Sequence, residues 1–294
     1  MPTIQSLLAG IASPALLAFG MNAVMFAVSA PLQTEHFFDL TGSSSFVACS
    51  ALALWRAAGS PTTAAALMAS ASRLHPRQLM LSAAVSTWAV RLGTFLVYRV
   101  NALGGDRRFD KLKTNPARFA VVWAIQAVWT TMTAFPVFAA LSIPASEQQP
   151  LGLLDAVGAA CWAVGFTFEA LADYQKLKWQ LKMGDERFKS VNREGVWSLC
   201  RYPNYFGEIL LWSGVAVSAT AAVGLRAPNG IYVAGLMALS PLFVATLLLR
   251  VSGIPLQEHM AKKRFAGNKD YEDYVATTNV LFPWFPRKAA RKSE

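Results

Sequence analysis

Apolar residues run along this chain in seven long blocks, at about residues 10–30, 42–58, 79–100, 119–141, 151–172, 205–223 and 231–253, with short polar or charged stretches between them. A helix needs about 17 to 25 apolar residues to cross the roughly 30 Å hydrocarbon layer of a bilayer, and each block has that length. Open strands leave their backbone unsatisfied in lipid, so the pattern predicts helices throughout. A further apolar stretch, 61–74, is too short to cross comfortably and ends at His75-Pro76-Arg77; it reads as a loop helix or a re-entrant piece. The predicted fold is all-α: a single multispanning transmembrane domain over 1–294 with about seven spans, eight if 61–74 crosses, and a cytosolic tail from about residue 254. No Gly-x-Gly-x-x-Gly follows a predicted strand, which excludes a Rossmann dinucleotide fold. The small residues Gly158, Ala159 and Gly165 predict close approach between helices.

Composition agrees with the pattern. The chain is 54% hydrophobic and only 15% charged, against roughly 25% charged in soluble domains. A net charge of +10 would point to nucleic acid in a soluble protein, but here the charge follows the gaps between blocks. Segments 101–118, 173–203 and the tail from 254 hold five, seven and eight basic residues, 20 of the 27, whereas 142–150 holds none and 224–229 only Arg226. Basic residues favour cytoplasmic loops, so these three segments are expected on the cytosolic face. Seven spans then put the N-terminus outside, and eight put it inside. The membrane is expected to be the endoplasmic reticulum in a eukaryote, where Arg291-Lys292 resembles a retrieval signal, or the inner membrane in a bacterium. Membrane lipids and a lipophilic small molecule drawn from the bilayer are the expected partners, and nucleic acid is not. Residues 1–9 carry no Lys or Arg, so no basic n-region of a signal peptide is read there. Cys49, Cys161 and Cys200 are odd in number, and His36, His75 and His259 are scattered, so neither a disulfide framework nor a metal site is expected.

Candidate chemistry concentrates in Trp197-Ser198-Leu199-Cys200-Arg201-Tyr202-Pro203-Asn204-Tyr205-Phe206-Gly207-Glu208. Pro203 disfavours helix at Tyr202 and suits the first turn of a new helix, expected to begin at about Asn204. The amides of such a start, with Arg201 beside them, favour an anion such as phosphate. Asn204 and Glu208 lie four apart on one helix face. Either Asn204 caps the helix and Glu208 makes a structural hydrogen bond, or both meet a ligand. Glu169 and Asp173 share a face near the cytosolic end of the fifth block. They either pair with basic residues of the next loop or, with Gln175, recognise ribose or an amide; ionisable residues in spans default to function. Arg91 and Arg99 stand two turns apart in the third block, and the deeper Arg91 needs an anionic partner such as Glu169, Asp173 or Glu208. Arg108 reads as a loop salt bridge or a phosphate contact. Lys262-Lys263-Arg264 reads as a lipid-headgroup or phosphate contact.

Arg201 to Glu208 resembles the Arg-His-Pro-Asn-Tyr-Phe-Gly-Glu motif of the steroid 5α-reductase C-terminal family, and specifically its branch of uncharacterised membrane proteins of the DUF1295 type. Phe168-Glu169-Ala170-Leu171-Ala172-Asp173-Tyr174-Gln175 is similar to the family's Phe-Glu-x-x-x-Asp-x-Gln. Val251-Ser252-Gly253-Ile254-Pro255-Leu256, with Tyr271 and Tyr274, resembles its C-terminal signature. Arg91-Leu92-Gly93 to Arg99, then Gly105-Asp106-Arg107-Arg108-Phe109, matches an upstream block. The resemblance covers about residues 85–286, and before it only Phe38-Asp39 is similar.

The resemblance implies NADPH as cofactor, with Asp173, Asn204, Tyr205 and Glu208 in contact with it. Arg91, Arg108, Glu169, Gln175, Arg201 and Tyr274 complete the expected cofactor set, and Asp39 and Tyr205 are the expected catalytic residues. Two positions depart from the family pattern. Tyr202 replaces His, removing a group that titrates near neutral pH while keeping an aromatic hydrogen-bonder. Trp88 stands where steroid reductases carry a tyrosine that polarises the enone oxygen, and Trp cannot deliver a proton. The expected activity is NADPH-dependent reduction of a C=C bond in a lipophilic, sterol-like or lipid-like substrate. A methyltransferase similar to the isoprenylcysteine carboxyl methyltransferases, using S-adenosylmethionine, is one alternative. A non-enzymatic lipid-binding or transport protein on the same fold is another.

Overall fold

The computed structural model describes residues 4–104 and 109–287, so Gly105-Asp106-Arg107-Arg108 and Arg291-Lys292 lie outside the described residues. Ten α-helices follow one another: α1 (Ile4–Ser29), α2 (Phe38–Ala57), α3 (Ala64–Ala71), α4 (Pro76–Leu103), α5 (Pro116–Ser142), α6 (Leu153–Met183), α7 (Pro203–Ala221), α8 (Gly230–Thr246), α9 (Ile254–Arg264) and α10 (Lys269–Thr277). Among the described residues there is no strand, only an isolated parallel bridge between Cys200 and Asn279.

All seven apolar blocks are helical. Among the described residues five stretches are long and apolar enough to cross a membrane, consistent with an integral membrane protein: Leu7–Ser29, Pro76–Leu103, Pro116–Ser142, Leu153–Phe188 and Gly230–Arg264. α2 and α7 have 20 and 19 residues, but Thr41, Ser43, Ser44 and Ser45 in one and Asn204 and Glu208 in the other lower their apolar character. With eight residues, α3 reaches about 12 Å and is a loop helix, too short to cross. Local chemistry sets the starts. His75 caps α4 with Pro76 behind it, and Gln78 returns a bond to the His75 amide. Asn115 and Asn268 cap α5 and α10 through their side-chain oxygens. After Thr246 the chain widens into a π-helical turn at Leu247–Val251.

The chain divides into two compact units, Met1–Ala160 with Trp212–Pro241, and Cys161–Leu211 with Leu242–Glu294; the divisions fall inside α6, α7 and α8. In the first unit α2 packs on α1, α4 and α5. Its centre is aromatic: Phe46, Trp88, Trp129 and Trp212 meet edge to face or tilted, with centroids 4.8–6.2 Å apart. Trp88 is wholly buried there, so this departure from the family pattern is a core residue of the fold. Gln126 joins three helices by donating to Asn22 Oδ1 and to the Phe38 carbonyl. One end of the unit is tied by Lys113 Nζ bonding Glu35 at 2.9 Å, which joins the α1–α2 turn to the α4–α5 loop. At the start of α4, Arg77 joins the α5–α6 loop and Asp155.

In the second unit α6 and α7 meet backbone to backbone. A Cβ at Gly165 would stand 2.5 Å from Leu211 N, and one at Gly207 2.5 Å from Glu169 N and Gly165 O. Close packing at Gly165 follows the prediction, as does Gly158 against Gly214 and Ser218 in the first unit, whereas Ala159 is exposed.

Candidate functional site

The second unit gathers most of the predicted residues. α7 begins at Pro203, and the Tyr202 carbonyl accepts its first helical bond, from Phe206 N. Asn204 therefore lies inside the first turn and does not cap it. Its Nδ2 instead donates to Asp173 Oδ1 at 3.4 Å, which joins α7 to the end of α6. The Gly207 contact makes this possible, because it lets the two backbones close beside Glu169. Glu169 and Asp173 are both buried, 3% and 8% exposed. Tyr205, Asn204 and Glu208 are half-buried on the same first turns of α7.

Arg201 is held from α9. Its Nη1 donates to Glu258 Oε1 at 2.7 Å, and the Tyr202 hydroxyl donates to the same oxygen at 2.7 Å. Burial and then the carboxylate push the Tyr202 hydroxyl well above its ordinary pKa, so it stays a proton donor. Its ring stacks on Tyr205 with centroids 5.4 Å apart. Tyr271 is raised by burial and by Glu258 in the same way. Among the described residues, two buried polar atoms in the motif have no hydrogen-bond partner: Arg201 Nε, a donor, and Asn204 Oδ1, an acceptor.

Other predicted residues shape the loop that carries the motif. Gln175 Oε1 accepts from Val196 N at 2.9 Å, packed against Gly195, whose φ of +58° suits glycine. Trp197 Nε1 donates to the Ala172 carbonyl, and the buried Tyr274 hydroxyl donates to the Trp197 carbonyl at 2.9 Å. Burial pushes Tyr274 upward and carries the Cys200 thiol to about 11. Gln175 and Tyr274 thus brace 195–200 from two sides.

Arg91 and Asp39 belong to the first unit. Arg91 is half-buried on α4. Asp39, in the first turn of α2, lines a cavity of about 200 Å³ with Glu35, His36, Val97, Val100, Asn101 and Phe109. Arg108 lies outside the described residues. Among the described residues no group of three or more His, Cys, Asp or Glu could hold a metal ion.

Sequence reasoning missed Glu258 and Gly207. Glu258 is the one acid in α9, 57 positions from its partner, and no local spacing announces it. Gly207 sits within the quoted motif, where its neighbours Glu208 and Asn204 drew the functional reading. The family described as a protein of unknown function, DUF1295, matches residues 25–278. No curated protein and no solved structure matches the chain.

Proposed function

The chain belongs to the DUF1295 family, and on that premise we propose that it is a membrane-embedded reductase that uses NADPH to saturate a conjugated C=C bond in a lipophilic substrate. The observation that carries the reading is the junction of α6 and α7, where the buried Asp173 carboxylate, one turn from the buried Glu169, meets the Asn204 amide, in a motif that keeps two buried polar atoms, Asn204 Oδ1 and Arg201 Nε, without a bond among the described residues. The donor set fits the cofactor. Glu169 and Asp173 suit ribose hydroxyls, Asn204 and Glu208 suit the nicotinamide carboxamide, and Arg201 Nε suits a phosphate. When bound, NADPH would supply a hydride to the β-carbon of the substrate.

The protein's part is positioning and charge. As the C=C electrons move onto the carbonyl oxygen, a hydrogen bond to that oxygen stabilises the developing enolate, the largest catalytic term available. Tyr205, on the first turn of α7, is the hydroxyl we assign this role. A proton then adds at the α-carbon and leaves the saturated carbonyl product. The substrate enters from lipid, and the basic loops and tail face the cytosol with the cofactor.

Calorimetric titration of the full chain in mild detergent tests the reading. NADPH is expected to bind, and more tightly than NADH. Binding of S-adenosylmethionine without either dinucleotide would replace the reductase by a methyltransferase, and binding of none of the three would leave a lipid-binding protein.

A further inference from the structure

The last described residues form a strap fastened to the backbone of the Arg201 motif. Arg201 N donates to the Asn279 carbonyl at 2.9 Å, Tyr202 N to Val280 at 3.2 Å, and Trp284 N to Leu199 at 3.1 Å. Arg287 N closes the strap onto Thr277, and the Phe282 ring meets Phe206 at 6.1 Å. The backbone is thus held while the large side chains are not covered. Phe282, Trp284 and Phe285 are 71%, 70% and 78% exposed, and Val280 is 41% exposed. Such a cluster on one short segment marks an interaction surface. In sequence it runs into Arg287, Lys288, Arg291 and Lys292, with no acid before Glu294.

We propose that residues 279–287 are an interfacial anchor, seated in the headgroup layer of a bilayer that contains anionic lipid, and that this seat holds the 199–202 backbone in place. Three observations choose the bilayer over a second copy or a soluble protein. The chain has five membrane-length helices, so a lipid surface is at hand. Aromatic rings with an apolar body settle at the headgroup level. The basic run matches anionic headgroups, which attract near-surface Lys and Arg. Pro283 and Pro286 keep the strap from forming a helix, which leaves Phe282, Trp284 and Phe285 on a short irregular loop that Arg287 closes onto Thr277. The inference does not depend on the reductase reading.

The test uses the full chain carrying Cys161→Ser; the native Cys49 and Cys200 are buried and stay unlabelled. Trp284→Cys and Phe285→Cys are labelled separately with an environment-sensitive fluorophore. Each protein is reconstituted into phosphatidylcholine vesicles with or without phosphatidylglycerol. The expected result is quenching by lipids brominated close to the headgroup, protection from aqueous iodide, and greater protection when phosphatidylglycerol is present. Full iodide quenching with no effect of brominated lipid overturns the anchor. Self-quenching that rises with protein-to-lipid ratio overturns it in favour of a second copy. In parallel, Trp284→Ser with Phe285→Ser should speed amide exchange across 199–202 about tenfold in vesicles, as local opening becomes easier. Unchanged exchange would remove the link between seat and motif.

Discussion

Arg77 and Arg201 both stand just outside or at the start of a helix and both meet one carboxylate, yet their surroundings differ. Arg77 is completely buried and uses all five of its N–H groups. Nε and Nη2 grip Asp155 at 2.6 and 2.7 Å, and the rest go to Gln148 Oε1 and the carbonyls of Gln149 and Pro150. Asp155 is filled in turn by the Gly152 amide. Arg201 spends one nitrogen on a carboxylate it shares with Tyr202, and its buried Nε has no partner. A saturated guanidinium is a joint between loops. An unsaturated one keeps a buried N–H that the described residues do not satisfy, which is what the proposed phosphate contact would use.

The largest expected effect tests the joint. Arg77→Ala leaves the Asp155 carboxylate buried and unpaired, which should cost about 3–5 kcal/mol and lower the apparent Tm in detergent sharply. Arg77→Met with Asp155→Leu should recover most of that loss, since an apolar pair needs no compensation. Arg201→Ala should cost less than Arg77→Ala, and an equal loss would erase the contrast. On the receptive side, Asn204→Ala and Glu208→Gln should each weaken NADPH binding by about ten- to a hundredfold, the equivalent of about 1.5–3 kcal/mol for a charged hydrogen bond. Asn204→Ala also removes the bond to the buried Asp173 and should lower the apparent Tm without cofactor, so the readout of ligand contact is the rise in Tm on adding NADPH, which should shrink in both variants. Equal cofactor-induced stabilisation in wild type and both variants would take the motif out of the binding site.

Gly207→Ala sharpens the contrast between packing and ligand contact within a single motif. A Cβ 2.5 Å from backbone on α6 forces the helices apart, at a cost of about 1–3 kcal/mol. It should also lower NADPH affinity by stretching the Asp173–Asn204 junction, which differential scanning and titration would report together. The smallest effect belongs to Glu35 and Lys113, a partly exposed pair worth up to about 1 kcal/mol. Burial pushes the Glu35 carboxyl up, but the Lys113 bond and nearby positive charge outweigh it and hold it below its ordinary value. Its contribution is present above the usual carboxylate pKa and is lost as pH falls through the lowered one. Lys113 is held above its ordinary value, chiefly by the bond to Glu35, so its share persists below the usual lysine pKa and is lost as pH rises through the raised one. Lys113→Met should flatten the acid limb of the stability profile and leave NADPH binding unaltered.

Much of the fold was legible because lipid leaves so few options for a backbone. Seven apolar blocks became seven helices, and 61–74 became a short loop helix. The division into two units was not legible, since its boundaries fall inside continuous helices where no composition changes. In the site, Asp173 and Asn204 were readable as polar groups on apolar helices, but the bond between them depends on how α6 and α7 cross. Gly207 permits that crossing, and a glycine's role is written only in the atoms it lets approach. The joint at Arg77 was not legible, because its partners lie 71 to 78 positions away. Glu258 was hidden for the same reason.

α6 is also a measuring rod. Its 31 residues extend about 46 Å, some 16 Å beyond the hydrocarbon thickness of a bilayer. Counted from Leu153, Asp173 stands about 30 Å along it, where a helix entering at that end emerges from the acyl chains. A span that begins at Leu153 would thus bring the buried Asp173 to the edge of the acyl layer. Partitioning becomes a filter applied before any contact is made. On the proposed reductase reading, a lipophilic substrate would arrive from the acyl phase and the dinucleotide from water, each concentrated by its own solvent before the two meet.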